Sequence, residues 1–320
     1  MKRSIAALGL SLAFALPAFA QADYPTRPVR IVIGFSPGSV ADTPARLLAQ
    51  KFSQKFGQQF VVENKPGAGS NIAAEFVARA EKDGYTLLMS TAAQTINATI
   101  SRNLTFDFAK DFSPIAMVAS VPNVLVAHPS LGVDNVRDLI ALAKSKPGEI
   151  LYGSSGLGTT THLAGELINV MAGIKLGHVP YPGSAQSIAD VVAGRIPLLL
   201  VPAAPVMQFV NRGDLKALAV TQLRRTGAAP NLPTMSEAGL PGFDIGLWFG
   251  LVAPTGTPRT VIDKIAGAAA EALQSPEIVA ALTAAGIDPM TDGGTDAFAR
   301  FIASDIKNNA TIAKAAGLVN

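Results

Sequence analysis

The feature that most restricts this chain is a repeated unit: a short β-branched run, a turn of Gly, Ser and Thr, then an amphipathic stretch. Val29-Arg30-Ile31-Val32-Ile33 ends at Gly34 and passes through Ser36-Pro37-Gly38-Ser39. Asp42-Thr43-Pro44 then reads as the cap and first turn of a helix reaching about 56. A strand at 60–63, the turn Pro66-Gly67-Ala68-Gly69-Ser70-Asn71 and a helix over 72–80 repeat the unit. A strand at 85–89 and a polar loop over 90–95 follow. Further on come strands at 115–118 and 124–127, a helix over 135–144, a strand at 150–153, a turn over 154–160 and a helix over 161–171. A strand at 178–181, a turn at Gly183-Ser184, a helix over 185–193 and strands at 198–201 and 217–220 complete the series. Alternation of this kind predicts an α/β fold, with parallel sheets covered by helices. After Trp248 the rhythm stops: one strand at 249–252 precedes helices over 259–273, 276–284 and 295–316. Such a tail reads as a second crossing between two α/β lobes.

The first segment reads as a processing signal. Lys2 and Arg3 precede an apolar run over 5–16, and Ala18-Phe19-Ala20 places small residues at the −3 and −1 positions of a cut before Gln21. Twelve apolar residues are too few to span a bilayer, which takes ~20. The chain has 320 residues, and what remains after the cut is long enough for two domains of ~100–200 residues. The formal charge of +3 loses Lys2 and Arg3 with the leader. There is no cysteine, so there is no disulfide framework and no thiolate nucleophile or ligand. Clustered Lys/Arg runs are absent, which argues against nucleic acid. At 49% hydrophobic and 15% charged, the composition excludes a disordered chain. An exported, nearly neutral chain of this kind is expected in the periplasm.

The chemistry-bearing feature is the set of turns themselves. In open parallel sheets, ligands bind at the carboxyl ends of strands, where these turns gather. Helix N-termini there offer unpaired N–H groups and partial positive charge, and so favour an anion without Lys or Arg. Gly156-Leu157-Gly158 starts like a dinucleotide fingerprint but lacks the third glycine, and the strand at 178–181 has no acid for a ribose. No phosphate loop and no GxSxG elbow are present. His128, His162 and His178 are widely spaced, without HExxH. No metal, cofactor or catalytic residue is assigned. His162 reads as a first-turn residue near a ligand cleft, Asp42 as a helix cap, and Trp248 as either a hinge or cleft residue or a core aromatic.

Taken in order, these segments resemble the Bug family of extracytoplasmic solute receptors, the binding proteins (TctC) of tripartite tricarboxylate transporters. The matching residues include Tyr24-Pro25-Thr26-Arg27-Pro28-Val29, Pro37-Gly38 with Asp42, Glu63-Asn64-Lys65-Pro66-Gly67-Ala68-Gly69 and Asp83-Gly84-Tyr85-Thr86. In the second half they include Gly156-Leu157-Gly158 with His162-Leu163-Ala164-Gly165-Glu166, and Val179-Pro180-Tyr181 with Gly183. Pro241-Gly242-Phe243, Trp248 and Ala253-Pro254-Thr255-Gly256-Thr257-Pro258 close the set.

The resemblance implies a two-lobed periplasmic-binding-protein fold (type II-like), each lobe a mostly parallel sheet flanked by helices, with ligand in the cleft. Residues 21–122 and 250–320 would form one lobe, and 123–249 the other. It implies capture of a small carboxylate (a di- or tricarboxylate, an acidic amino acid or an aromatic carboxylate) with no reaction. Carried over, the first-lobe contacts are Gly38, Ser39, Asn71, Ser90 and Thr91. The second lobe would close with Gly158, Thr159, Thr160, Tyr181, Gly183, Ser184 and Ala185. Implied partners are transporter membrane subunits, and a monomer is implied. A receptor for a sensor kinase and an exported α/β hydrolase are the rival readings. The chain departs from the family pattern at Ser39 (often Gly), Gln94 (often His), and Pro197 and Val201 (often acidic). Leu198-Leu199-Leu200-Val201-Pro202-Ala203 is therefore either an apolar cleft wall or a core strand, the second being preferred.

Overall fold

A computed structural model describes residues 24–101, 103–227, 229–291 and 294–319. The expected leader and its cut after Ala20 lie outside the described residues. In the first lobe, β1 (Val29–Ile33), α1 (Asp42–Phe56), β2 (Phe60–Asn64), α2 (Asn71–Ala78), β3 (Thr86–Thr91), α3 (Ala92–Ile100) and α4 (Phe108–Asp111) lead to β4 (Phe112–Val121). The second lobe holds β5 (Asn123–Ala127), α5 (Val136–Ser145), β6 (Leu151–Ser154), α6 (Thr160–Ala172), β7 (Gly177–Pro180), α7 (Ser184–Val192), β8 (Leu198–Pro202), α8 (Ala203–Asn211) and β9 (Lys216–Val220). The chain returns through β10 (Leu247–Pro254), α9 (Arg259–Gln274), α10 (Pro276–Ala284), β11 (Asp288–Pro289) and α11 (Thr295–Ala315). No helix among the described residues is long and apolar enough to cross a membrane.

Two sheets form, ordered β11-β4-β10-β3-β1-β2 and β7-β6-β8-β5-β9. The βα units read from the sequence supply the parallel pairs: β1 with β2 and β3, and β6 with β7 and β8. The crossing strands supply the antiparallel pairs, β10 with β3 and β4, and β5 with β8 and β9. A chain that leaves a lobe and returns beside its own exit must run in opposite senses there, so each sheet is mixed. β8 is the core strand preferred from sequence: Leu198, Leu199, Leu200 and Val201 are all 0% exposed.

Three apolar clusters fill the layers. One packs β1, β3, β4 and β10 against α1, α9 and α10. A second packs β5 and β8 against α7 and α8. The third includes residues of α2, α3 and α11 together with α5 and α6, so apolar packing is continuous from one lobe to the other. Trp248 belongs to this core at 2% exposure, edge-on to Phe298 and Phe301. Its indole N–H donates to Asp305 of α11, whose carboxylate also accepts from Thr95 of α3 at 2.6 Å.

Two differences from the sequence reading affect the site. The polar loop expected over 90–95 does not exist: β3 runs to Thr91 and α3 starts at Ala92, stabilised by a Thr91–Gln94 capping box. After β8 the structure adds a helix that the sequence pattern does not predict, α8, which begins directly after Pro202.

Candidate functional site

Strand sense locates the site before any side chain is considered. β1, β2 and β3 are parallel, so their carboxyl ends, Ile33, Asn64 and Thr91, lie on one edge of the first sheet. Antiparallel pairing places Val121, at the end of β4, and Leu247, at the start of β10, on that same edge. In the second sheet Asn123 pairs with Pro202, so the start of β5 lies at the carboxyl end of β8. Only Pro122 separates Val121 from Asn123. Both sheets therefore turn their carboxyl edges toward the joint, and the glycine-rich turns of both lobes face one cleft. Hydrogen bonds close the joint: Ala203 N–H to Pro122 O at 2.8 Å, Thr221 N–H to Asn123 O at 3.0 Å, and Ile245 N–H to Thr221 O at 2.8 Å.

In the first lobe, the loop after β1 is clasped by Asp42. Asp42 is the first residue of α1 rather than its N-cap, and its side chain caps no early helical N–H. Its carboxylate accepts instead from Gly38 N–H at 3.1 Å, Asn64 Nδ2 at 3.0 Å and Arg46 Nε at 2.7 Å. Burial opposes the charge, but these hydrogen bonds and the Arg46 cation outweigh it and hold the acid below its ordinary value. Gly38 (φ +77°) thus has its N–H committed to the clasp. The turn before α2 contains four successive left-handed residues, Gly67, Ala68, Gly69 and Ser70, two of them not glycine. The glycines adopt this backbone freely, whereas Ala68 and Ser70 each hold it at a cost of order 1–3 kcal/mol, a kind of strain that clusters at ligand sites. Asn97 of α3 holds this turn, donating to Gly69 O at 3.2 Å and Asn71 Oδ1 at 3.1 Å. Gly34 admits Ser70: a Cβ on Gly34 would lie 1.8 Å from Ser70 Oγ.

Ser90 and Thr91 are both fully buried. Ser90 donates to Gly250 O at 2.8 Å, so its hydroxyl is committed to the sheet. The Thr91 hydroxyl accepts from Ala93 N–H at 3.1 Å, and Thr91 N–H reaches Gln94 Oε1 at 2.7 Å. Thr91 therefore shapes the N-terminus of α3 more directly than it offers a hydroxyl.

In the second lobe, Thr159 caps α6, accepting from His162 N–H at 3.3 Å. Its hydroxyl also donates to Gly156 O at 2.7 Å. Thr160 Oγ1 accepts from Asn123 Nδ2 at 3.1 Å. Gly158 N–H reaches His162 Nδ1 at 3.2 Å. The Tyr181 hydroxyl donates to Asp190 at 2.8 Å; burial and that hydrogen bond push its pKa up to about 12. Its backbone carbonyl approaches Gly156, where a Cβ would sit 3.2 Å from it. Gly183 begins α7 with extended backbone and no side-chain cap. Ser184 Oγ meets Ser155 Oγ at 3.2 Å, and Ala185 is exposed beside it.

Among the described residues, three buried side-chain oxygens have no hydrogen-bond partner in the protein: Ser39 Oγ, Ser70 Oγ and Asn123 Oδ1. All three stand at the carboxyl edges that meet at the joint. Leaving such a group unpaired costs roughly 1–3 kcal/mol, so each is free to bond a water or another group from outside the chain. Ser39 was expected from sequence; Ser70 and Asn123 were not, because nothing local distinguishes them. α2, α7 and α8 also start here without side-chain caps. An uncapped start is not diagnostic alone, since α9 and α11 lack caps too. No candidate residue carries a formal charge, so an anion would be held by dipoles and hydroxyls. No group of three or more His, Asp or Glu among the described residues is placed to hold a metal. A groove of about 880 Å³ opens elsewhere, between α2 and the amino ends of β1 and β3. Its lining sets Arg27, Arg30 and Arg79 against Glu75, Glu81 and Asp83, which leaves no excess of one sign to attract an ion.

Comparison with known proteins shows the family and the fold. Residues 44–318 match the model of the tripartite tricarboxylate transporter family receptor, TctC. Protein BugT of Bordetella pertussis is 34% identical over 321 residues, covering 99% of this chain and 98% of its own. Among solved structures, Rpa4515 of R. palustris with adipate is 37% identical with TM-score 0.79, covering 92% of this chain and 99% of that one. MatC of Rhodopseudomonas palustris with bound malate is 27% identical with TM-score 0.75, covering 90% and 99%.

Proposed function

The chain belongs to the tripartite tricarboxylate transporter receptor family, periplasmic solute-binding proteins, and from that premise we propose that it captures a small carboxylate and delivers it to transporter membrane subunits. The observation that carries this reading is the set of unpartnered oxygens, Ser39 Oγ, Ser70 Oγ and Asn123 Oδ1, at the joint between the lobes. Ser39 and Ser70 can donate to a carboxylate, and Asn123 Oδ1 can accept from a ligand hydroxyl or a bridging water. The uncapped starts of α2, α7 and α8 add N–H groups and partial positive charge, which attract a carboxylate without a cation. Adipate and malate, bound by two relatives, make a dicarboxylate the first class to test. Gly38, Ser39, Asn71, Ser90 and Thr91 form the first-lobe wall, and Gly158, Thr159, Thr160, Tyr181, Gly183, Ser184 and Ala185 the closing wall. Ser90, Thr91 and Tyr181 act by shaping that wall, since their hydroxyls are already engaged. Ligand contacts made from both lobes favour the closed arrangement, the form a membrane partner would read. The receptor reaches its compartment by export, with cleavage after Ala20.

Thermal unfolding of the exported form tests the reading. At 1,000 times the dissociation constant, a ligand adds ~4.1 kcal/mol, a shift of several degrees. Adipate or malate is expected to give that shift, and the corresponding diamide none. If the refolded protein, stripped of co-purified ligand, shifts with no carboxylate, capture of carboxylates is wrong.

A further inference from the structure

Behind the closing wall lies a cluster of side chains that direct ligand contact does not use. His162 and His178 stack with ring centroids 4.2 Å apart and planes at 21°. Tyr152 stacks on His178 at 4.9 Å, and its hydroxyl donates to Glu166 Oε1 at 2.7 Å. Gly165 lets this ring reach α6, since a Cβ there would lie 2.2 Å from it. Each histidine also points at the turn over 154–160. Gly158 N–H can only donate, so His162 Nδ1 at 3.2 Å is the acceptor, and the ring proton sits on Nε2, facing Glu166 Oε1 at 4.0 Å. His178 Nε2 shares a 2.7 Å hydrogen bond with Ser154 Oγ, which accepts Gly156 N–H at 3.1 Å. Gly156 (φ +122°) and Gly158 (φ +70°) are the residues that give the turn its shape, and each has its N–H anchored through one histidine. Burial lowers the pKa of both imidazoles, and the His162 ring adds to this at His178, which falls to about 4. Both rings are therefore neutral near pH 7, as an acceptor role at His162 requires.

We infer that His162 and His178 are positioning residues for ligand binding: a stacked pair, locked by Tyr152 and Glu166, that holds the Gly156–Gly158 turn in its ligand-ready form. His162 acts directly on Gly158, and His178 acts through Ser154 on Gly156. The inference rests on the receptor reading above, because it takes this turn as part of the closing wall. A histidine that merely fills the core would be replaced well by any side chain of similar volume. A positioning histidine is replaced well only by one that keeps the acceptor.

His162→Asn keeps an acceptor near the Nδ1 position, whereas His162→Leu fills the space without one. Two readouts are taken: amide hydrogen exchange at Gly158 in ligand-free protein, and affinity for adipate and malate. In His162→Leu, Gly158 is expected to exchange about tenfold faster and affinity to fall about tenfold; His162→Asn restores both to within about threefold of wild type. If His162→Leu does not fold, His178→Phe, which keeps the stack but loses Ser154, is expected to speed exchange at Gly156. Unchanged exchange at the anchored glycine, or equal losses of affinity in the Leu and Asn variants, overturns the inference. If wild type binds neither acid, the carboxylate reading has failed, and exchange alone decides whether the histidines hold the turn.

Discussion

Ser70 combines strain and desolvation in one residue. Its backbone is left-handed (φ +74°), it is 1% exposed, and its hydroxyl has no partner in the protein. Gly34 exists in this arrangement to make room for it. A group arranged this way for folding alone would be removed at no loss, so stability and binding respond in opposite directions. Ser70→Ala is expected to leave stability unchanged or raise it by up to about 1 kcal/mol, because an unsatisfied group disappears. The same variant is expected to bind adipate about tenfold more weakly. Chemical denaturation and titration calorimetry on the same samples test this; a variant that is destabilised but binds normally would make Ser70 a structural residue. None of this was legible in the sequence, where Ser70 is one polar residue in a glycine-rich turn. Its significance comes from β1 and β2 lying side by side, which brings Gly34 against it. Asn123 was hidden for the same reason, being defined by its place opposite Pro202 across two strands.

At the scale of elements, the two lobes use one device at the cleft. α3 begins Thr91-x-x-Gln94 and α6 begins Thr159-x-x-His162, each a hydroxyl cap with a side chain reaching back from the third helical position. In α3 the reach ends on the cap's own N–H; in α6 it ends one residue earlier, on Gly158. The sequence carried this signal. Reading 90–95 as a loop weighs its Ser, Thr and Gln content above the cap, and so loses α3. The periodic strands and helices elsewhere were legible because burial on a sheet or helix face repeats along the chain. The β7 and α6 contribution has a pH signature. His178 falls from 6.5 to about 4 on folding, first by burial and then by the nearby His162. Between those values the unfolded chain binds the proton and the folded one does not, so stability is full above pH 6.5 and declines as pH falls toward 4. Relative to His178→Phe, wild type is expected to lose stability over that window, at no more than about 1.4 kcal/mol per pH unit, and to run parallel outside it. Denaturation curves at several pH values measure the difference; parallel curves throughout would mean that His178 takes up its proton alike in the folded and unfolded states.

At the scale of the molecule, the lobes are joined by more than their two strand crossings. α11 of the first lobe packs on both α3 and α6, and the apolar cluster between them runs through both lobes. Asp305 ties this tail to the rest, holding Trp248 of β10 and Thr95 of α3 at once. Opening the cleft must therefore separate contacts in this seam while sparing the hydrogen bonds at Pro122, Asn123 and Thr221. Ile100, the last residue of α3, reaches the turn over 154–160: its Cδ1 would lie 2.9 Å from a Cβ on Gly158. The contact joins α3 to the turn before α6, and it is expected to favour the arrangement in which the two stay together. Ile100→Ala removes about 1 kcal/mol of apolar contact from that form alone, since the side chain is only partly buried. Apparent affinity scales with the fraction of protein that can close, and the variant is expected to bind adipate about fivefold more weakly. Its radius of gyration without ligand, measured by small-angle scattering, should rise, and saturating adipate should return it to the wild-type value. Weaker binding with an unchanged radius would place Ile100 in the binding wall rather than in the equilibrium between open and closed lobes. Unchanged binding would mean that closure is governed by the crossings and the tail helix alone.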